Sequence, residues 1–341
     1  MTETEERRLK VLKIVEEMTD NLETPHGFLP SGSCVLDAVL GGGYPYGKFT
    51  MIYGKFAGGK TSLGTIASLL ALKRGGLGII LDVERKFNMH YAKKLGEKYG
   101  VNAESLIVIK PESLENCLSI IDELILSNYK GQTETVIFWD SLTASCGEDI
   151  DYKTGTKKNA RGVSTMDMMR AKMGVNSQLL ARWFRRKPFK KMADSKICLL
   201  ASSQIQDSFA LYGDPYNIPG GHAPKHAAMI MLEISSHKKD NDSKYIDDLK
   251  KEKAGVFIKC KTTRNNIIAP FRECWLPLYY SRGIDDALAM LLFLKEHSLI
   301  DRAGSFFKYN GKNYRQADLI DKINTDKAFY AEIAELIATT I

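Results

Sequence analysis

The chain has 341 residues, of which 44% are apolar and 26% are charged, and its net charge is +7 at pH 7. This balance excludes a disordered chain and predicts two or three globular domains. No apolar run is long enough to span a membrane, and the charged first residues lack the apolar stretch of a signal peptide, so we expect a cytoplasmic protein with no membrane partner. The six cysteines are far apart and form no Cys-x-x-Cys pair, which is typical of reduced thiols rather than disulfides or metal ligands.

The N-terminal segment has the pattern of an amphipathic helix over residues 4–22. Its apolar positions fall on one stripe, formed by Leu9, Leu12, Val15, Met18 and Leu22. Residues 23–27 then break the pattern with a proline and a glycine. We therefore assign residues 1–30 to a helix and linker, which would pack either on the chain's own core or on a neighbouring subunit.

From residue 31 the pattern changes to short apolar runs that alternate with helical stretches. The predicted strands are Phe49–Tyr53, Leu77–Asp82, Leu106–Lys110, Thr135–Trp139, Ile197–Ser203, Met229–Ser235, Gly255–Thr263 and Phe271–Leu278, and the predicted helices lie near 61–73, 88–99, 113–127 and 174–193. This alternation predicts an α/β fold with a mostly parallel, twisted sheet covered on both faces. We assign residues 31–281 to this core and residues 282–341 to a small C-terminal α/β domain. Ligands of such sheets bind at the carboxyl ends of the strands.

A phosphate-binding loop follows the first predicted strand of the core. The sequence fits G-x-x-x-x-G-K-[ST], and a strand and a helix flank it as the motif requires. Lys60 would reach the β- and γ-phosphates of ATP, and the Thr61 hydroxyl would bind Mg²⁺. The alternative is a glycine-rich turn, which would not explain the fit of both flanks. The predicted nucleotide contacts are Gly54, Lys55, Phe56, Ala57, Gly58, Gly59, Lys60, Thr61 and Ser62.

Two predicted strands end in carboxylates. Asp140 follows the apolar run Val136–Trp139, and a P-loop enzyme places such an aspartate beside Mg²⁺. Glu84 lies just past the strand that ends at Asp82, where it could polarise a water for attack on the γ-phosphate. The pattern alone does not separate this role for Glu84 from that of a solvated loop acid.

Positive charge is concentrated between residues 151 and 192, which hold twelve Lys or Arg residues and two acids. Gly155 and Gly162, with few apolar residues between them, predict a loop before the helix. A basic loop suits a nucleic-acid backbone, whereas the alternative is a solvated charged helix face. A second long loop follows the strand near Gln204 and runs from Gln206 to Gly221.

In this order, the motifs resemble those of the RecA family of DNA strand-exchange ATPases, from about Gly32 to the C-terminus. The similar segments include the turn Gly42–Gly47 before the P-loop, Asp82-Val-Glu84 followed by Tyr91–Gly96, and Asp140-Ser141. They continue with Ser203-Gln204-Ile205, Gly220-Gly221, Ile268–Phe271, Gly304 and Tyr309–Gly311. Ordered agreement of this kind is far more specific than a P-loop alone.

The resemblance implies a role for each matching residue. Glu84 would activate the attacking water, Tyr91 would stack on the adenine, and Gln204 would sense the γ-phosphate. Asn88 stands where bacterial members carry aspartate. Two DNA-binding loops are implied, with candidate contacts at Lys157, Lys158, Arg161, Met173, Gly174, Arg185, Gln206, Ser208, Phe209, Gly220 and Gly221. The N-terminal helix would dock on the adjacent subunit and build a helical filament.

The sequence also departs from the family pattern. Bacterial members carry Lys-Asn-Lys at Arg264-Asn265-Asn266, where the lysines reach the neighbour's nucleotide, so only Arg264 keeps a cross-boundary cation. The acidic C-terminal tail of bacterial members is not present, as in a divergent, phage-encoded member. The expected activity is ATP-dependent pairing and exchange between single-stranded and double-stranded DNA. The alternatives are a hexameric helicase-like motor and a recombination mediator that does not exchange strands.

Overall fold

The structure is a computed structural model. It describes residues 25, 27–128, 131, 133–145, 176–207, 216–218, 220–236, 245–247, 253–304 and 306–341. The predicted N-terminal helix over residues 4–22 lies outside the described residues.

The described segments form strands and helices in close alternation. The strands are β1 Phe28–Leu29, β2 Tyr44–Pro45, β3 Lys48–Gly54, β4 Leu77–Asp82, β5 Ile107–Ile109, β6 Thr135–Asp140, β7 Ile197–Gln204, β8 Gln206–Asp207, β9 Tyr216–Asn217, β10 Ile230–Ser235, β11 Tyr245–Asp247, β12 Lys253–Asn265, β13 Glu273–Tyr279, β14 Gly283–Ile284, β15 Asp301–Ala303, β16 Phe306–Tyr309 and β17 Lys312–Arg315. The helices are α1 Cys34–Leu40, α2 Lys60–Lys73, α3 Met89–Tyr99, α4 Leu114–Ser127, α5 Leu142–Ser145, α6 over 176–183, α7 Lys187–Lys191, α8 His222–Ala227, α9 Asp286–Glu296, α10 Gln316–Thr325 and α11 Lys327–Thr340.

One large sheet organises the molecule. Within the described residues its strand order is β14-β13-β12-β10-β3-β7-β6-β4-β5, and β11 pairs with β12. The six strands from β10 to β5 are parallel, whereas β12, β13 and β14 continue the sheet in antiparallel pairs. The predicted mostly parallel sheet is therefore confirmed. The ends of β3, β4, β6 and β7 meet at one edge, as parallel strands require.

The sheet is buried on both faces because successive residues of its central strands point to opposite sides. Ile52 belongs to one apolar core together with α1, α2 and α3. Its neighbours Met51 and Tyr53 belong to the other core, which contains α4 and the end of α6. This two-sided burial explains why β3, β6 and β7 read as continuous apolar runs.

The C-terminal helices pack on the first of these cores. Phe329, Ile333 and Ile337 of α11 are buried in the same cluster as Leu36 and Leu40 of α1. Asp286 ties these elements together, because its carboxylate accepts hydrogen bonds from Cys34 N (3.1 Å) and from the Tyr330 hydroxyl (2.7 Å). A small antiparallel sheet of β15, β16 and β17 lies between α9 and α10 in sequence.

The prediction of one helical stretch over 174–193 is wrong. Among its described residues, α6 ends at 183, and α7 begins at Lys187 and is followed by a 3-10 turn over Met192–Asp194. The reason is Pro188, which has no N–H to donate to the preceding turn, so that a helix can begin near it but cannot continue into it from α6. Arg185, one of the predicted DNA contacts, lies in this break.

Candidate active site

The P-loop follows β3 and bends sharply before α2. Gly54 has φ +156° and Gly59 has φ +92°. A Cβ on Gly54 would lie 2.0 Å from the Ile234 carbonyl oxygen, and one on Gly59 would lie 2.8 Å from Leu278 Cδ2. These two positions therefore require glycine, and the loop closes tightly enough to present its N–H groups and the N-terminus of α2 to a phosphate.

Lys60 is buried at the start of α2, and its ammonium lies inside the loop. Nζ donates hydrogen bonds to the carbonyl oxygens of Gly54 (2.9 Å) and Lys55 (2.7 Å). Burial lowers the pKa of Lys60, while the nearby Asp140 and Glu84 carboxylates oppose this shift. The loop thus holds a partly desolvated cation at the start of α2, through two of its carbonyl oxygens.

Asp140 ends β6 and accepts hydrogen bonds from two hydroxyl groups. Thr61 Oγ1 donates to its Oδ2 at 2.8 Å, and the Ser202 hydroxyl of β7 donates to its Oδ1. Burial raises the pKa of Asp140, and the hydroxyls of Ser202 and Thr61 counteract this. Sequence reasoning assigned both Thr61 and Asp140 to Mg²⁺ but missed Ser202, which only the pairing of β7 with β6 brings to Asp140. The peptide bond between Asp140 and Ser141 is cis.

Glu84 faces the same cleft from the turn after β4. Its Oε1 accepts from Ser141 Oγ (2.9 Å) and Gln204 Nε2 (3.2 Å), and its Oε2 accepts from Lys86 Nζ (3.1 Å). Burial raises the pKa of Glu84, but the donors Lys86, Ser141 and Gln204 outweigh it, so the net shift is downward. The contacts of Glu84 favour a site acid over a solvated loop acid.

Asp82 is a further cleft carboxylate, and its role is to shape the turn. It is buried, and it accepts hydrogen bonds from the backbone N–H groups of Lys86 (3.0 Å) and Phe87 (3.1 Å). The turn also holds Arg85 at φ +56°. Glu84 and Lys86 therefore project from a backbone that the Asp82 carboxylate fixes from inside.

Several aromatic residues lie near the P-loop, and not only Tyr91, which the family resemblance places on the adenine. The Tyr91 hydroxyl donates to Ser62 Oγ at 2.8 Å, and burial followed by the nearby Tyr280 accounts for the raised pKa of Tyr91. Tyr280, together with Phe87, lines the cleft beside the P-loop. Asn88 caps α3 by accepting from Tyr91 N (3.1 Å). Sequence reasoning missed Tyr280, because only the antiparallel return of β13 places it here.

The cleft has a volume of about 340 Å³ and is lined by the P-loop, the strand ends and the Glu84 turn. Mg²⁺ binds through oxygen ligands and takes most of them from phosphate and water, with one or two from the protein. The Thr61 hydroxyl and the Asp140 carboxylate, 2.8 Å apart, fit that requirement. In the described part of the chain, no cluster of three or more His, Cys, Asp or Glu side chains could hold a metal.

Arg264 lies away from the P-loop of its own chain. It pairs with Met231 near the start of β10, whereas the P-loop residue Gly54 pairs with Ile234 near the end of that strand. Arg264 Nη1 donates to the Lys225 carbonyl oxygen at 2.8 Å. A contact between Arg264 and a nucleotide would therefore require the P-loop of another copy.

The described residues of the two predicted DNA-binding segments come together. Gly221 packs against Ser177 of α6, and Arg185 lines a second cleft of about 420 Å³ together with His222 and His226 of α8. Buried Asp122 holds α6 in place, since it accepts from Trp183 Nε1 at 2.7 Å and lies 3.4 Å from Arg186. Strands β8 and β9 pair with each other within the second predicted loop. Gln206 is the first residue of β8. The candidates Lys157, Lys158, Arg161, Met173, Gly174, Ser208 and Phe209 lie outside the described residues.

The rest of the described chain adds two observations. None of its helices is long and apolar enough to cross a membrane. Its five cysteines are free thiols.

Comparison with known proteins identifies relatives along most of the chain. The sequence model described as the RecA N-terminal domain matches residues 7–285. A protein named Protein RecA from Thermus thermophilus is 30% identical over 284 residues, which cover 82% of this chain and 75% of that protein. Proteins of the same name from Mycoplasma mobile and Porphyromonas gingivalis are 29% and 28% identical, over 91% and 92% of this chain and 86% and 85% of their own.

Proposed function

This chain belongs to the RecA family, and we propose that it is a DNA-dependent ATPase that forms filaments on single-stranded DNA and exchanges strands with a homologous duplex. The observation that carries the proposal is the convergence of Lys60, Asp140, Glu84 and Gln204 on one cleft. A phosphate-binding loop without the Glu84–Gln204 contact would support nucleotide binding but not a hydrolysis cycle linked to a loop.

The proposed reaction is hydrolysis of ATP to ADP and phosphate. Lys60 and the N–H groups of the P-loop would bind the β- and γ-phosphates, and Thr61 and Asp140 would hold Mg²⁺, which neutralises phosphate charge when bound. Glu84 Oε2 would accept a proton from the water that attacks the γ-phosphate, since Ser141 and Gln204 hold Oε1, whereas the described donor to Oε2 is the exposed side chain of Lys86.

The link to DNA runs through the end of β7. Gln204 contacts Glu84, and the backbone N–H of the next residue, Ile205, donates to the Gly54 carbonyl oxygen at 3.4 Å. A change in the cleft would therefore reach the first residues of the second predicted DNA-binding loop. Arg264 of a neighbouring subunit would complete the site, which makes activity depend on a head-to-tail filament.

Electron microscopy with single-stranded DNA and a slowly hydrolysed ATP analogue tests the proposal. We expect regular filaments with the native chain and none with Lys60→Ala, which removes the main phosphate-facing cation. Rings would instead favour a hexameric helicase-like motor. The absence of any ordered assembly, with DNA binding retained, would favour a mediator that does not exchange strands.

A further inference from the structure

Lys86 is the cation of the cleft whose side chain is least confined. Its backbone is fixed, because its N–H donates to the buried Asp82 carboxylate. Its side chain is 73% exposed and extends from that anchor to Glu84, whose side chain is only 20% exposed. One end of the Lys86–Glu84 pair is therefore held and the other can reorient.

The contacts of Glu84 are divided between its two oxygens. Ser141 and Gln204 hold Oε1 from the ends of β6 and β7, whereas Lys86 alone among the described donors engages Oε2. Loss of the Lys86 contact would leave the carboxylate aimed in the same direction, because the two donors to Oε1 would remain.

The charges that line the cleft indicate a second binding partner for the Lys86 ammonium, the phosphates of a nucleotide. Among the described residues of the lining, the carboxylates are Asp82, Glu84 and Asp140, and the cations are Lys60 and Lys86. Lys60 is held by the carbonyl oxygens of the loop, and Arg264 is at the far end of β12. A triphosphate carries several negative charges where Glu84 carries one, so it would compete strongly for the Lys86 ammonium.

We propose that Lys86 is a positioning residue that pairs with Glu84 until a nucleotide enters the cleft and then turns to the nucleotide's terminal phosphate. The ammonium then leaves Oε2, and the carboxylate becomes a stronger base because its positive neighbour is gone. Lys86 would thus restrict proton abstraction to the loaded site, using a cation from the same chain. This inference rests on the proposed ATPase function.

Glu84 and the phosphate compete for the Lys86 ammonium. The effects of Glu84 and Lys86 on nucleotide affinity should therefore be coupled. Replacing Glu84 by glutamine removes a repulsive charge and also releases Lys86, so ATP should bind more tightly. In a chain that lacks the Lys86 ammonium, the same replacement removes only the repulsive charge. The gain from Glu84→Gln should therefore be larger when Lys86 is present.

Equilibrium titration with ATP and Mg²⁺ measures this coupling without relying on turnover. The variants are Lys86→Gln, Glu84→Gln, the double variant and Lys86→Arg, with Arg85→Gln as the matched control for an exposed cation outside the cleft lining. We expect Lys86→Gln to weaken binding roughly two- to fivefold, in keeping with an exposed charge pair. Lys86→Arg should restore it, and Arg85→Gln should leave it unchanged.

Two results would overturn the proposal. One is an equal gain from Glu84→Gln in both backgrounds, which would mean that Lys86 does not move between the two anions. The other is equal weakening by Lys86→Gln and Arg85→Gln, which would indicate only a general effect of charge. Lys60→Ala distinguishes failure of the Lys86 proposal from failure of the proposed function. If neither the native chain nor Lys60→Ala binds ATP, the ATPase assignment itself is wrong.

Discussion

Gln204 donates its side-chain amide to Glu84 Oε1 at 3.2 Å, although Gln204 ends β7, Glu84 follows β4, and β6 lies between these two strands. This contact joins the predicted base to the residue that precedes the second predicted DNA-binding loop. The Gln204 backbone is held as well, since its N–H donates to Thr143 Oγ1 at 2.9 Å. The side chain is thus positioned to report what happens at Glu84.

Replacing Gln204 by alanine should uncouple hydrolysis from DNA. The substitution removes a donor to Glu84 and the side chain that would respond to the γ-phosphate, so we expect DNA-stimulated hydrolysis to fall roughly tenfold, as for a hydrogen bond to a charged group. Phosphate release measured with and without single-stranded DNA gives the stimulation ratio. Gln316→Ala, at an exposed glutamine of α10, is the control, and an unchanged ratio in Gln204→Ala would refute the coupling.

Replacing Glu84 by glutamine should nearly stop hydrolysis while ATP binding is retained. The amide keeps the shape of the side chain but cannot accept the proton of water, and loss of a general base typically reduces the rate about 10²–10⁴-fold. Single-turnover hydrolysis and a parallel binding titration separate the two effects. Glu97→Gln, at an exposed glutamate of α3, should behave as the native chain does; normal turnover in Glu84→Gln would place the base elsewhere.

Arg264→Ala should abolish DNA-stimulated hydrolysis but leave nucleotide binding by the single subunit intact, because Arg264 lies far from its own P-loop. Asn266 can still donate a hydrogen bond but brings no charge. A single arginine at a partly desolvated phosphate can stabilise charge strongly.

Mixing Arg264→Ala with Glu84→Gln tests whether the site is shared between subunits. Each variant supplies the residue that the other lacks, so a mixture should regain activity that neither shows alone. If mixed filaments form on DNA and remain inactive, each nucleotide is hydrolysed within one subunit. Arg264 would then act through its hydrogen bonds to Lys225 and Asn266, and a lower melting temperature of Arg264→Ala would reveal that role.

DNA affinity should depend on salt and little on base sequence. Replacing Lys157, Lys158 and Arg161 by alanine removes three predicted phosphate contacts, which should reduce the slope of log affinity against log salt by about 2 on single-stranded DNA. The control replaces Lys73, Lys94 and Lys110, which are exposed elsewhere on the molecule. An equal slope for the two triple variants would show that the basic segment does not contact phosphate.

The stability of the core should fall as pH rises from about 4 to about 7. Burial raises the pKa of Asp37 to about 7, helped by Asp286 and opposed by the N–H of Ser31. The folded chain therefore keeps a proton that the unfolded chain has lost, and this stabilisation disappears as pH passes through the folded-state pKa. Allowing for partial exposure, the change is on the order of 2 kcal/mol.

Asp37→Asn should reduce this pH dependence, because the amide is neutral throughout the range and its oxygen can still accept from Ser31. Urea unfolding at pH 5 and pH 7.5, at low protein concentration, gives the difference for each chain. Asp318→Asn, at an exposed aspartate of α10, provides the control. An equal difference in the native chain and Asp37→Asn would mean that Asp37 does not contribute to this pH dependence.

Local sequence patterns predicted the central sheet because each of its central strands is an uninterrupted apolar run. Strands β3, β4, β6 and β7 are apolar runs buried on both faces, and their shared edge follows from their parallel order, so Lys60, Asp140 and Glu84 could be placed at one site. The break at Pro188 could also have been read from the sequence, since a proline inside a helical pattern marks a boundary.

Contacts between residues that are far apart in the sequence could not be predicted from local patterns. Ser202 reaches Asp140 only because β7 lies beside β6, and Tyr280 reaches the cleft only because β13 returns antiparallel to β12. The Lys86–Glu84 pair depends on the turn that Asp82 closes with its carboxylate. None of these three has a sequence signal that separates it from an ordinary polar or aromatic residue.

The joining of α1 to α9 and α11 has a consequence for how the chain is made. Asp286 contacts Cys34 across 252 positions of sequence, and the elements that α1 packs against include β12, β13, α9 and α11, all of which are synthesised late in translation. At about 5–20 residues per second, the nascent chain would carry the uncovered surface of α1 for roughly 10–50 s. Chaperone demand during synthesis, and aggregation of chains truncated before residue 286, should therefore depend on this late closure of α1.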